Sequence, residues 1–215
     1  GGVVAEEIRP VLPLVEKLGQ VFTGLAGGLA ASLTVEVRGE IAAFDVNVLR
    51  LAALRGVFAP VVHEPVSYVN APILAAERGL DVELTTSPDS PDYRNLITLR
   101  GAMADGTAVS VSGTLSGPRM LEKITELDGF DVEIPPTAHL VALHYRDRPG
   151  VVGTVGAKFG GADINIAAAQ VSRTEQGGDA LIVVTVDSQV DAALLDELAE
   201  AIGASVARTI DIAQD

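Results

Sequence analysis

The chain has no cysteine in its 215 residues, which removes disulfides, thiolate catalysis and cysteine-based metal sites together. Histidine is scarce as well, and His63, His139 and His144 leave little from which to build a metal site. Basic residues are in deficit: 15 Lys and Arg stand against 29 Asp and Glu, a net charge of −14. Nucleic acid and anionic membrane surfaces both demand clustered cations, so the expected partners are neutral, small, or other protein. No window reaches the roughly 18 unbroken apolar residues of a membrane span, although 48% of the residues are hydrophobic. That apolar content is expected in globular cores. With no basic n-region and apolar h-region at the start, the cytoplasm is the expected compartment.

What is present divides in two. The length suits two small domains, each with its own core. The chain breaks best at Ile134-Pro135-Pro136-Thr137, where two prolines neither continue a helix nor donate to a ladder. Residues 1–137 then carry 10 basic and 18 acidic residues and residues 138–215 carry 5 and 11, so neither part holds a compensating basic face. The opening Gly1-Gly2-Val3, without Met, is what a piece of a longer polypeptide would show.

The first part reads as mixed α+β. A helix punctuated by Pro10 and Pro13 leads to the glycine-rich loop Gly24–Gly28, and Ser32–Arg38 (SLTVEVR) alternates with the period of a half-buried strand. Phe44, Val48, Leu51 and Phe58 recur at helical spacing. Asn70–Arg78 has the marks of a helix, with Asn70 at the N-cap, Pro72 in the first turn and Gly79 just past the end. Asn95–Ala104 and Thr107–Thr114 flank Asp105-Gly106, a pair suited to a two-residue I′ hairpin turn. A helix around Arg119–Leu127 and a strand at Phe130–Ile134 are expected to close the part.

The second part has the order βαββαβ. Strands are expected at His139–Tyr145, Asp163–Arg173, Asp179–Asp187 and Ser205–Ile210, with helices at Pro149–Phe159 and Asp191–Ile202. In the second helix Ser188 and Asp191 make a capping box, Val190, Leu194, Leu198 and Ile202 form an apolar stripe, and Gly203 ends it. Two helices on one face of a four-stranded antiparallel sheet is the ferredoxin-like arrangement.

Catalytic motifs are missing. There is no G-x-G-x-x-G after a strand, no Walker loop, no H-E-x-x-H and no G-x-S-x-G, and "GLAGGLA" lacks the flanking strand and distant acid of a dinucleotide site. The stretch "RDRPGVVGTVGAKFGGADINIAAAQVSR" reads as a binding turn instead. Tyr145 and Asp147 end a strand. Gly150 and Val151 then offer the free N–H groups of a helix start to a carboxylate. Asp147 is able to hold an ammonium, and the Asn165 amide offers both a donor and an acceptor. Such a set suits an α-amino acid, while the same residues also read as ordinary exposed turn positions. Arg94, Arg100, Arg119 and Lys123 are candidates for an anion site in the first part or, equally, solvated charges.

These motifs carry a resemblance. "HLVALHYRDRPGVVGTVGAKFGGADINIAAAQVSR" with "ALIVVTVD" resembles the ACT domain, a small-molecule regulatory module, over residues 138–215. "SLTVEVRGEIAAFDVNVLRLAALRGVF", "VNAPILAAERGL" and "SGTLSG" resemble the intervening domain of long-form D-3-phosphoglycerate dehydrogenases, over residues 1–137. The resemblance implies the regulatory portion of an enzyme whose catalytic domains, missing here, oxidise 3-phosphoglycerate with NAD in serine synthesis. It also implies an L-serine effector held by Tyr145, Asp147 and Asn165, self-association of ACT domains into a dimer or tetramer, and an anion site in the intervening domain. The fragment itself is then expected to be catalytically silent and to hold no metal or cofactor. Two alternatives are the β-type chain of iron–sulfur L-serine dehydratase, which would call for a Ser-Ser-His-Thr-like segment, and a free-standing amino-acid-binding module.

Overall fold

A computed structural model describes residues 4–213, and it divides into two compact units, Gly1–Gly129 and Phe130–Asp215. In the first unit the chain runs through α1 (Leu12–Ala26), β1 (Ser32–Gly39), α2 (Asn47–Phe58), α3 (Ala71–Glu77), β2 (Asp81–Ser87), β3 (Asn95–Ala102), β4 (Ala108–Ser116) and β5 (Leu121–Leu127). The strands lie in the order β2-β1-β3-β4-β5. β2 runs parallel to β1, because α2 and α3 form the crossover between them, and the other pairings are antiparallel.

The core of this unit is set by two helices in backbone contact. A Cβ on Gly19 of α1 would lie 2.5 Å from the Ala53 carbonyl and 2.7 Å from the Val57 nitrogen, and one on Gly56 of α2 would strike the Glu16 carbonyl. Only glycine permits that approach. Thr23 Oγ1 donates to the Val57 carbonyl at 2.8 Å across the same seam. Leu14, Leu18, Phe22, Leu49, Val57, Val35, Ile97 and Leu99 are buried in this unit.

Several local expectations change here. Arg119–Leu127 is a turn followed by β5, not a helix. The register of β4 against β5 slips between Ser112 and Gly113, so Ile124 faces Gly113 while Leu127 faces Val111. That bulge puts two buried residues three apart on one face, which imitates helical spacing. α2 does form, but its buried residues are Leu49, Ala52, Ala53, Leu54, Gly56, Val57 and Phe58, and Phe44 lies ahead of it, 39% exposed. Asn70 flanks α3 without capping it, since its Oδ1 accepts from Ser67 instead. β2 has no counterpart among the expected elements, and none of its residues is buried. Around Asp105-Gly106 only Gly106 has positive φ, and its N–H bonds to the Met103 carbonyl. That is the three-residue loop with a glycine bulge, whereas the consecutive positive φ values of a I′ turn occur at Asp128 (48°) and Gly129 (84°).

The second unit contains β6 (Phe130–Ile134), β7 (His139–Arg146), α4 (Val151–Gly161), β8 (Ile166–Arg173), β9 (Asp179–Val186), α5 (Ala192–Ile202) and β10 (Val206–Asp211). Its four-stranded sheet has the order β10-β7-β9-β8 with antiparallel pairing throughout, the ferredoxin-like topology expected. Val141, Leu143, Ile182 and Val184 of the sheet pack with Val151, Val155, Phe159, Leu198 and Ile202 of the helices. Two cap details differ: Asp191, not Ser188, caps α5 by accepting from Leu194 N–H at 2.8 Å, and Pro149 precedes the Gly150 N-cap of α4 instead of lying inside the helix.

Candidate functional site

β7 ends at the turn that carries Tyr145, Asp147 and Gly150. Tyr145 is a strand residue that belongs to the same buried core cluster as Val151, Val155 and Phe159, and it is 4% exposed. Burial, and then the charge of Asp147, push its phenol above the ordinary tyrosine range. Gly150 has φ 90° and accepts from Thr154 N–H at 2.9 Å, so α4 begins abruptly, and no side chain caps its first turn. The leading N–H groups of a helix have no intrahelical acceptor, and they carry the positive end of its dipole. A carboxylate is the natural guest.

The carboxylate of Asp147 is already engaged. Arg146 pairs with Asp179 at 2.8 Å and Arg148 donates to the Ile202 carbonyl at the end of α5 at 3.0 Å, so neither neighbour serves Asp147. Arg173, at the end of β8, reaches Asp147 Oδ2 at 2.7 Å, and Gly177 N–H donates to the same oxygen at 3.2 Å. Arg173 and then Gly177 hold this carboxyl below the usual carboxylate range. The sequence reading missed Arg173 and Arg148. The signal was present in the topology, since β7 and β8 both run antiparallel to β9 and so end at the same edge.

Asn165 lies elsewhere. Arg146 pairs with Asp179 and His139 with Val186, while Ile166 also pairs with Val186. Asp147 and Asn165 therefore sit beside opposite ends of β9, separated by about 24 Å at strand rise. Asn165 Nδ2 donates to Asp187 at 2.7 Å, and its Oδ1 has no partner among the described residues. One chain does not bring the two residues to one spot.

Residues 7–125 match the family model for the D-3-phosphoglycerate dehydrogenase intervening domain, and residues 139–203 match the ACT domain. The first match alone spans more than half of the chain. The chain belongs to the D-3-phosphoglycerate dehydrogenase family. Proteins named D-3-phosphoglycerate dehydrogenase from Mycobacterium leprae and Mycobacterium tuberculosis are 41% and 42% identical over 212 residues, and one from Synechocystis is 33% identical over 210. These alignments cover 99%, 99% and 97% of this chain but 40%, 40% and 38% of the relatives, so the chain spans about two fifths of the length of those curated relatives.

The intervening domain does not gather the four candidate cations. Arg94 holds Glu40 at 2.7 Å and lines a cavity of about 580 Å³ with Pro10, Phe44, Leu115 and Met120. Arg100 pairs with Glu36 at 2.9 Å and stands opposite Ser110, whereas Lys123 stands opposite Thr114. Those two positions on β4 are four residues apart, about 13 Å at strand rise. Arg119 is exposed in the turn before β5. The glycine-rich loop Gly24–Gly28 does not form a dinucleotide turn: Gly27, at φ 72°, ends α1 ahead of β1, the reverse of the strand-to-helix turn that cradles a dinucleotide.

Proposed function

We propose that this chain is the regulatory portion of a D-3-phosphoglycerate dehydrogenase, and that its ACT domain binds L-serine between two copies of itself. The NAD-dependent oxidation of 3-phosphoglycerate belongs to the remaining part of the polypeptide. The observation that carries the proposal is the placing of Asp147 and Asn165 beside opposite ends of one strand. β8 is an edge of its sheet, paired in it with β9 alone; Ala167, Ala168, Ala169 and Val171 along it are exposed, and the Gln170 side chain accepts from Glu133 N–H of β6 at 2.8 Å. A two-fold axis through the middle of that edge pairs β8 with its copy antiparallel, and this brings the Asp147 end of each chain to the Asn165 end of the other. The ligand ammonium then meets Asp147, its carboxylate meets the Gly150-Val151 start of α4, and the partner's Asn165 amide takes the hydroxyl. Tyr145 forms the buried wall. Because such a ligand touches both chains, it favours the arrangement that holds them together, and that preference is what couples serine to the rest of the enzyme.

Calorimetric titration of L-serine into the chain, with its mass measured by light scattering, tests this. Saturable binding by a dimer or larger species is expected, weakened about 10- to 100-fold in Asp147→Ala and in Asn165→Ala. A strictly monomeric mass, or equal affinity in all three proteins, contradicts it.

A further inference from the structure

We infer that Arg173 is an internal competitor for the ammonium of the effector, a built-in counterion that lowers the affinity of the site; the inference rests on the serine-binding reading. Asp147 is held from three sides. Its backbone N–H donates to the Gly178 carbonyl at 2.8 Å, Gly177 N–H approaches Oδ2 at 3.2 Å, and Arg173 Nη1 sits on that same oxygen at 2.7 Å. Exposure separates the partners: the Asp147 side chain is 15% exposed and that of Arg173 is 53%. The carboxylate is therefore the fixed member, set in the turn by backbone groups, and the guanidinium is the outer member lying on the solvent side.

An amino acid that approaches from solvent meets a carboxylate whose charge is already balanced. Its ammonium must take the remaining oxygen in the face of a like charge, or lift Arg173 away. A guanidinium does not lose its proton at any ordinary pH, so only exchange of partners releases it. The Gly150-Val151 N–H groups provide for the ligand carboxylate, so Arg173 is not needed for that end of the molecule. Removing its charge leaves the receptor complete and takes away the competitor.

The test compares L-serine titrations of the wild-type chain, Arg173→Gln and Arg173→Lys, with the Arg173 side-chain Nε–H signal followed by NMR. Exposed ion pairs contribute little, so Arg173→Gln is expected to bind about two- to five-fold more tightly. Arg173→Lys, which keeps the charge, stays near wild type, and the Nε–H signal shifts as serine saturates the wild-type protein. A purely structural role would weaken binding in the Gln variant. Equal or weaker binding by Arg173→Gln, or an Nε–H signal indifferent to saturating serine, overturns the inference while leaving the serine site in place. Absence of serine binding in every variant removes the serine reading and the inference with it.

Discussion

The two domains use glycine for opposite purposes. In the intervening domain Gly19 and Gly56 let α1 and α2 touch backbone to backbone, and a Cβ at either position would enter a main-chain atom of the other helix. In the ACT domain Gly153, Gly156, Gly160 and Gly161 lie within α4, and a Cβ on any of them would meet nothing within 4 Å. Glycine in the first case is a packing requirement. In the second it weakens a helix with no packing return inside the chain, since a mid-helix glycine costs about 1 kcal/mol relative to alanine. The lesson is that one pair of glycines fixes a core, while no contact within the chain requires the four in α4.

Alanine substitutions break this comparison most sharply. Gly56→Ala forces the helix pair apart, and destabilisation of about 1–3 kcal/mol is expected, toward the upper end because the obstacle is main chain. Calorimetric melting measures it, and an unchanged transition would refute the close approach. Gly156→Ala is expected to act with the opposite sign, stabilising the ACT domain by about 0.5–1 kcal/mol. A loss of dimer mass in that variant would instead show that the open glycine face meets another copy.

The same contrast explains what the sequence disclosed. All six elements of the ferredoxin-like unit were legible, because its strands are bounded by turns and α5 carries both an apolar stripe and the αL glycine Gly203. The intervening domain was harder. A bulge at Ser112/Gly113 gave β5 the spacing of a helix, β2 buries no residue to mark it, and the buried face of α2 is built partly from Ala52, Ala53 and Gly56, which a search for large apolar residues passes over. At the candidate site, Tyr145, Asp147 and Gly150 follow one another along the chain and could be found together. Arg173 became visible only with the strand order, since it comes from 26 residues further on.

The smallest expected effect is electrostatic. Arg173 and Gly177 N–H keep Asp147 charged below the ordinary carboxylate range. A lowered folded-state value means that the stabilisation is complete above the unfolded-state value of about 3.9 and is lost only as pH falls through the folded one. Carbon-detected NMR titration of Asp147 is expected to show its midpoint moving upward in Arg173→Gln. A midpoint that does not move would remove Arg173 as the cause.

The central claim is that one serine site is assembled from two chains, and mixing two defective proteins tests it most directly. Asp147→Ala and Asn165→Ala each damage every site in their own dimers, but a dimer formed from one of each contains one site with both residues intact and one with neither. After unfolding and refolding together in equal amounts, calorimetric titration with L-serine is expected to recover tight binding at about one quarter of the wild-type number of sites, with wild-type affinity. No recovery in the mixture, alongside normal binding by wild type treated in the same way, would show that the site is not shared between chains.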